Sequence, residues 1–413
     1  MAKVASELRN QMNAMANGEP IPVIIRRKEG FFRAQALPNL VEVEQAFQLF
    51  PGEALSVSSA EIDALSRQDG VEQIWPDLPV QAWLDTSVPK ISAPAVWELG
   101  VRGKGVKVAV VDTGIDSSHP DFAGRIVATQ SFVGGSAEDD NGHGTHVASI
   151  VAGSGAKSNG KYVGVAPEAS LYVAKVLRAD GGGSMSGVMA GIEWAVLEQK
   201  VQIINLSLGG VGSCDGTDAL SVMCDEAVTQ AGVIVCVAAG NTGPDERTVG
   251  SPGCARRVIT VGAIDDSGAI ARFSSRGPTA DGRVKPDIVF PGVNIIAAQA
   301  TGTRLGQVVV EGYVSANGTS MATPHASGVA ALMLQANPKL TAEQLKTQML
   351  AGAIDLGVGP NAQGVGQGDA LKAYEQVTGT PTPTPTPDPP PTTPPDTTPS
   401  EPQGCLAALF GRG

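Results

Sequence analysis

The chain has 413 residues, 42% of them hydrophobic, enough for one large core with accessory segments. A formal net charge of −12 argues against nucleic acid as the main partner, and no apolar run reaches the ~18 residues that a membrane span needs. Any imidazole chemistry must come from four histidines, His119, His143, His146 and His325.

Residues 1–19 lack the apolar stretch of a signal peptide, so either the protein is intracellular or a signal has been removed. Residues 20–84 read as a separate small unit. Pro20 to Ile25 reads as a strand, Leu40 to Phe47 as a short helix and Ala54 to Val57 as a strand. Ser59 is placed to cap a helix running to Leu65, with Glu61 in its first turn, and Val71 to Trp75 closes the unit as a strand. Such elements make a small α+β domain.

From Val106 the pattern changes. Val106–Val111 is a buried strand that runs into Asp112, and Ser170–Leu177 is another. A helix over Gly187–Glu198 follows, then a strand at Val201–Leu208, a helix at Ala219–Gln230 and a strand at Val233–Ala238. Val258–Ala263 and Asp287–Phe290 add two more strands. Continuously apolar strands alternating with helices predict an α/β fold, a parallel sheet with helices on both faces. Functional groups gather beyond the carboxyl ends of such strands. Asp112, Asn241 and the segment Ser207–Gly210 fall there.

After Thr378 the composition breaks again. Thr380 to Pro402 alternates proline with threonine and acidic residues, which predicts an extended spacer of roughly 70 Å at ~3.1 Å per residue. The last ten residues, 404–413, are short and apolar, and read as the remnant of a surface anchor or as a plain tail.

Three polar segments need a common account: Asp112-Thr113-Gly114-Ile115-Asp116, Asn141-Gly142-His143-Gly144-Thr145-His146, and Asn317-Gly318-Thr319-Ser320-Met321-Ala322-Thr323-Pro324-His325. The last precedes a run, Val329–Leu334, that is apolar on all sides and reads as a buried helix. Alone, Asp112 could be a turn residue, His143 a structural histidine and Ser320 a helix cap. Together, Asp, His and Ser are what nucleophilic acyl transfer needs. A serine hydroxyl is a weak nucleophile until an imidazole takes its proton, and the imidazole needs a carboxylate to fix its tautomer.

In that order the three motifs resemble those of the subtilisin-like serine proteases, over roughly Ser87 to Val377. The resemblance implies a sheet of about seven parallel strands and an endopeptidase in which Asp112 orients His143, His143 is general base and then acid, and Ser320 is the nucleophile. It implies that Ala238-Ala239-Gly240-Asn241 supplies the oxyanion donor, Asn241. It gives His146 and His325 framework roles. Ser207, Leu208, Gly209 and Gly210 on one side, and Gly181, Gly182 and Gly183 on the other, resemble the segments that bind an extended peptide as an added strand. Gly250 and Gly253 match positions lining the first specificity pocket, with no acidic residue at its base, which predicts large apolar residues before the cut. Met185 and Val188 fall where a second apolar pocket is expected.

The same resemblance makes residues 1–84 a propeptide, at once folding chaperone and inhibitor, with Val80–Asp85 as its tail and self-cleavage between Val80 and Ser87, Leu84 being the residue expected before the cut. The catalytic domain is then 85–378, the linker 379–403 and the tail 404–413. No cofactor is required for the chemistry, and the ligands of any metal are left unknown. A structural calcium is left open: Asp121 matches a family ligand, but the loop expected to complete the site, Gly153–Tyr162, offers two lysines and no carboxylate. Asp215 and Asp218 are a second candidate pair. Two disulfides are expected, Cys214–Cys224 and Cys236–Cys254, with Cys405 left over. The expected partners are protein substrates and the propeptide, for a secreted monomer that the tail could hold at a cell surface. Two other readings remain, a catalytically idle peptide binder on a stalk and an esterase of small substrates.

Overall fold

The computed structural model describes residues 20–28, 43–46, 52–76 and 84–379, together with Val4, Leu8, Arg9 and Met12. The expected linker and tail after Gly379 lie outside the described residues, as do residues 80–83, half of the stretch expected to be cleaved. Leu84 and Asp85 are described only as opening the helix Leu84–Lys90. The chain divides into two compact units, Met1–Ala82 and Trp83–Gly413.

The first unit is an antiparallel sheet in the order β2-β3-β1-β4, with strands β1 (Ile21–Arg27), β2 (Val43–Ala46), β3 (Gly52–Val57) and β4 (Val71–Pro76). Alternation decides which face is covered: Ile21, Val23 and Ile25 point inward and pack with Leu55, Val57, Ile74 and, from the helix Ser59–Ser66, Ile62 and Leu65. That helix is capped by Ser58, one residue before the position expected, in a reciprocal box with Glu61. The helix expected over Leu40–Phe47 is not found: Val43–Ala46 is a strand paired to β3. Val41, Val43 and Gln45 recur at intervals of two, and a neighbouring strand edge decides such short segments.

In the second unit seven strands form one parallel sheet in the order β11-β10-β9-β8-β5-β7-β6. They are β5 (Lys107–Asp112), β6 (Ile126–Ser131), β7 (Ser170–Lys175), β8 (Ile203–Leu206), β9 (Ile234–Ala238), β10 (Ile259–Ile264) and β11 (Ile288–Pro291). The predicted strands are all present. β6 was not predicted, because an edge strand with a half-exposed face has no continuous apolar run.

Alternate residues of each central strand serve opposite faces. Val108 and Val110 pack with the helices His143–Ala152 and Thr319–Ala336, whereas Ala109 and Val111 pack with Met185–Glu193 and Ala219–Ala231. Thr319–Ala336 is buried along nearly its whole length, as its unbroken apolar run implies. A small antiparallel sheet, β12 (Ile295–Ala298), β14 (Tyr313–Ala316) and β13 (Gln307–Val310), leads the chain into that helix.

Candidate active site

Asp112 ends β5 and is fully buried. Its Oδ1 accepts the N–H of Thr113 at 2.7 Å and lies 2.7 Å from Nδ1 of His143, which donates to it. His143 is the first residue of the helix His143–Ala152. Both flanking glycines are forced by contact. Gly142 has φ +106°, and a Cβ there would lie 2.6 Å from Thr303 Oγ1; at Gly144 it would lie 2.2 Å from the Gly114 carbonyl.

A residue that sequence reasoning passed over organises this corner. Asp139 accepts from the N–H groups of Asn141 (3.1 Å), Gly142 (2.8 Å) and Thr145 (2.9 Å), and from the hydroxyls of Thr113 (2.9 Å) and Thr145 (2.6 Å). Thr113 Oγ1 in turn accepts the N–H of Gly144 at 2.8 Å. A carboxylate just ahead of a helix start, within D-D-N-G-H-G-T, was the available signal. Burial works against a charged His143, but the Asp112 carboxylate, by charge and hydrogen bond, and the Asp139 charge outweigh it, so its pKa is raised. His146 and His325 are fully buried and pushed down to about 4, chiefly by burial. His146 Nε2 donates to the carbonyls of Ile295 (3.0 Å) and Val314 (3.2 Å). His325 lies between the Met321 carbonyl (2.9 Å) and the Ser87 hydroxyl (3.0 Å).

Ser320 is the second residue of Thr319–Ala336, so its N–H has no acceptor within the helix. Its hydroxyl donates to the Ser207 carbonyl at 3.0 Å, and the Ser207 hydroxyl donates to the Ser320 carbonyl at 2.8 Å. Pro324 explains the second bond: four residues on, it has no N–H to offer Ser320, which leaves that carbonyl free. Asn241 lies just past β9. Its Oδ1 accepts the N–H (2.9 Å) and hydroxyl (3.0 Å) of Thr319, and the Thr319 hydroxyl accepts the N–H of Gly240 at 3.2 Å.

His143, Ser320 and Asn241 open onto one cleft of about 810 Å³. Gly181–Gly183 and Ser207–Gly210 line it, as do Gly250, Met185 and Val188. Gly253 is not among the lining residues. It packs behind them, where a Cβ would lie 2.9 Å from the Ala238 carbonyl.

Residues 103–372 match the family described as "Subtilase family". The chain belongs to the subtilase family. "Serine protease AprX" of Bacillus subtilis (strain 168) is 42% identical over 342 residues, 76% of this chain and 76% of that protein. "Subtilisin DY" of Bacillus licheniformis is 39% identical over 274 residues, 65% and 91% of the two chains. "Subtilisin E" of Bacillus subtilis (strain 168) is 37% identical over 325 residues, 76% and 79%. This subtilase is thus a serine endopeptidase of the subtilisin type.

The disulfide pattern differs from the one expected. Cys214 is bonded to Cys254, and Cys224 and Cys236 are free and buried. The sheet separates the free pair. Cys224 faces the core under Ala219–Ala231, whereas Cys236 faces the opposite core, where burial pushes its thiol up to about 12. The partners that the sequence suggested for them, Cys214 and Cys254, are bonded to each other.

The residues proposed for calcium do not fit it. Asp121 is fully buried, and its carboxylate already accepts the Tyr313 hydroxyl (3.0 and 2.9 Å) and the Lys157 N–H (3.0 Å). The loop meant to complete the site therefore turns a donor toward Asp121, where a hard cation needs oxygens. Asp215 accepts the N–H and hydroxyl of Thr217, and Asp218 is taken up by Ser221 and Ser251. Among the described residues no helix is long and apolar enough to cross a membrane.

Proposed function

We propose that Asp112, His143, Ser320 and Asn241 carry out peptide hydrolysis, and that the full chain is a self-cleaving zymogen. The observation that supports this most is the 2.7 Å bond from a fully buried Asp112 to a His143 that opens onto the same cleft as Ser320. In the reaction the Ser320 hydroxyl leaves the Ser207 carbonyl, gives its proton to Nε2 of His143 and attacks the scissile carbonyl carbon. The oxyanion formed is met by the Asn241 amide N–H and the Ser320 backbone N–H. His143 then protonates the leaving amine, and water releases the acyl group by the same steps in reverse. No cofactor enters.

The substrate lies extended between Gly181–Gly183 and Ser207–Gly210, held by its backbone, so specificity is broad. The pocket between Ser207–Gly210 and Gly250 takes a large apolar residue before the cut. The division into compact units at Ala82 and Trp83 supports a propeptide of 1–84 that inhibits the enzyme until cleavage within Val80–Ser87. The mature enzyme acts as a secreted monomer.

Substituting Ser320→Ala tests the reading. Wild-type chain should mature to a shorter form, and the variant should stay uncut at the 80–87 junction and take no fluorophosphonate label. A variant that matures on its own, without other protease present, would overturn it.

A further inference from the structure

The first specificity pocket is held from behind. Its two walls touch through the backbone: Gly210 N–H donates to the Ser251 carbonyl at 2.8 Å, and a Cβ on Gly250 would lie 1.9 Å from the Gly210 carbonyl. Apart from Leu208, the residues of these walls are small, Ser207, Gly209 and Gly210 on one side and Gly250 and Ser251 on the other. Val211, where the first wall turns outward, is 88% exposed.

Two groups outside the cleft brace the walls. Three residues beyond Val211 stands Cys214, and three beyond Ser251 stands Cys254, buried and bonded to it with the two Cα atoms 5.9 Å apart. Asp218 is the second group. It caps the helix Ala219–Ala231 through the Ser221 N–H (3.1 Å) and hydroxyl (2.6 Å), and its Oδ1 also accepts the hydroxyl of Ser251 at 2.6 Å. One carboxylate thus fixes a wall of the pocket to a helix end.

Resting on the reading of this cleft given above, we propose that Asp218 and the Cys214–Cys254 bridge are positioning groups for the first specificity pocket. They hold its walls at the separation a large side chain needs. A small residue before the cut does not reach that depth, so its cleavage does not depend on them. The charge of Asp218 is used up by three donors, so it acts on spacing and not as a counter-ion for a basic substrate.

The test compares two peptide anilides that differ only in having phenylalanine or alanine before the cut. The mature enzyme is assayed as wild type, as Cys214→Ser/Cys254→Ser, as Asp218→Ala and as Asp218→Asn. The ratio of kcat/KM for phenylalanine over alanine should fall about tenfold in the double variant and in Asp218→Ala, chiefly through KM. Asp218→Asn keeps an acceptor for Ser251 and should restore most of the ratio. Should the double variant not fold, folded wild type is treated with dithiothreitol, which is oxidised to its cyclic disulfide as the bridge opens to two thiols, counted by alkylation and mass. An unchanged ratio, or an equal loss on both substrates, overturns the proposal. A wild-type enzyme with no preference between the two substrates overturns the pocket assignment itself, and the proposal with it.

Discussion

Thr319 presents both its N–H and its hydroxyl to the side-chain oxygen of Asn241, at 2.9 and 3.0 Å. The Asn241 amide oxygen is thereby taken up, which leaves the N–H₂ group as the end that would meet the oxyanion in the proposed mechanism. Asn241→Ala should lower kcat about 10²- to 10³-fold, the loss measured for the equivalent donor in subtilisin itself. Thr319→Val keeps the shape and loses the hydroxyl, and should lower kcat about tenfold with KM within about twofold. Steady-state kinetics on one anilide checks both. A Thr319→Val enzyme that loses only KM would contradict the orienting role.

The raised pKa of His143 sets the pH profile. In the proposed mechanism the neutral imidazole accepts the Ser320 proton, so kcat/KM should climb as pH rises through its pKa, with the limb above about 6.5, the value of an unperturbed imidazole. The Asp139 charge is one of the causes, so Asp139→Asn should move the limb to lower pH. A limb that does not move would exclude Asp139 from the electrostatics of the site.

His146 and His325 predict acid sensitivity of a different origin. Each stays neutral in the folded chain down to about pH 4 but takes a proton at about 6.5 once unfolded. Between these values the unfolded chain binds more protons, so stability present above pH ~6.5 is lost as the pH falls toward 4. The loss is roughly 3 kcal/mol for each imidazole. Urea unfolding of the Ser320→Ala chain, which cannot digest itself, should show the slope, and His325→Gln should flatten it. An equal slope in both chains would rule His325 out as its source.

The filled carboxylate at Asp121 makes a prediction about metal removal. Chelator should leave the Tm of the inactive chain unaffected at this locus, whereas Tyr313→Phe, which deprives a buried carboxylate of its hydroxyl donor, should cost about 1–3 kcal/mol. A fall in Tm with chelator that disappears in Asp121→Asn would show that a cation does bind there.

The sheet was legible because its buried strands are continuously apolar, and Asp112, His143 and Ser320 because each stands in a long motif at a strand or helix end. What stayed hidden was side-chain direction. The sequence puts Cys236 near Cys254, but a strand residue points to one face or the other, and Cys236 takes the face away from the bridge. Thr319 was hidden for a related reason: it works by hydrogen bonds to Gly240 and Asn241, whose spacing along the chain gives no hint of contact, whereas Asp139 had a local signal, a carboxylate just ahead of a helix start, that was passed over. The short strand Val43–Ala46 had too few residues to separate the two periods.

The helix that begins at Thr319 is buried in the core of the second unit, while the two proposed peptide-binding rims are surface segments. Selection, or a designer, can therefore rework Gly181–Gly183 and the stretch around Val211 to change what is cut without moving the reacting oxygen. Variation in diet and constancy in chemistry are assigned to different parts of the chain, and libraries aimed at new substrates belong on the rims.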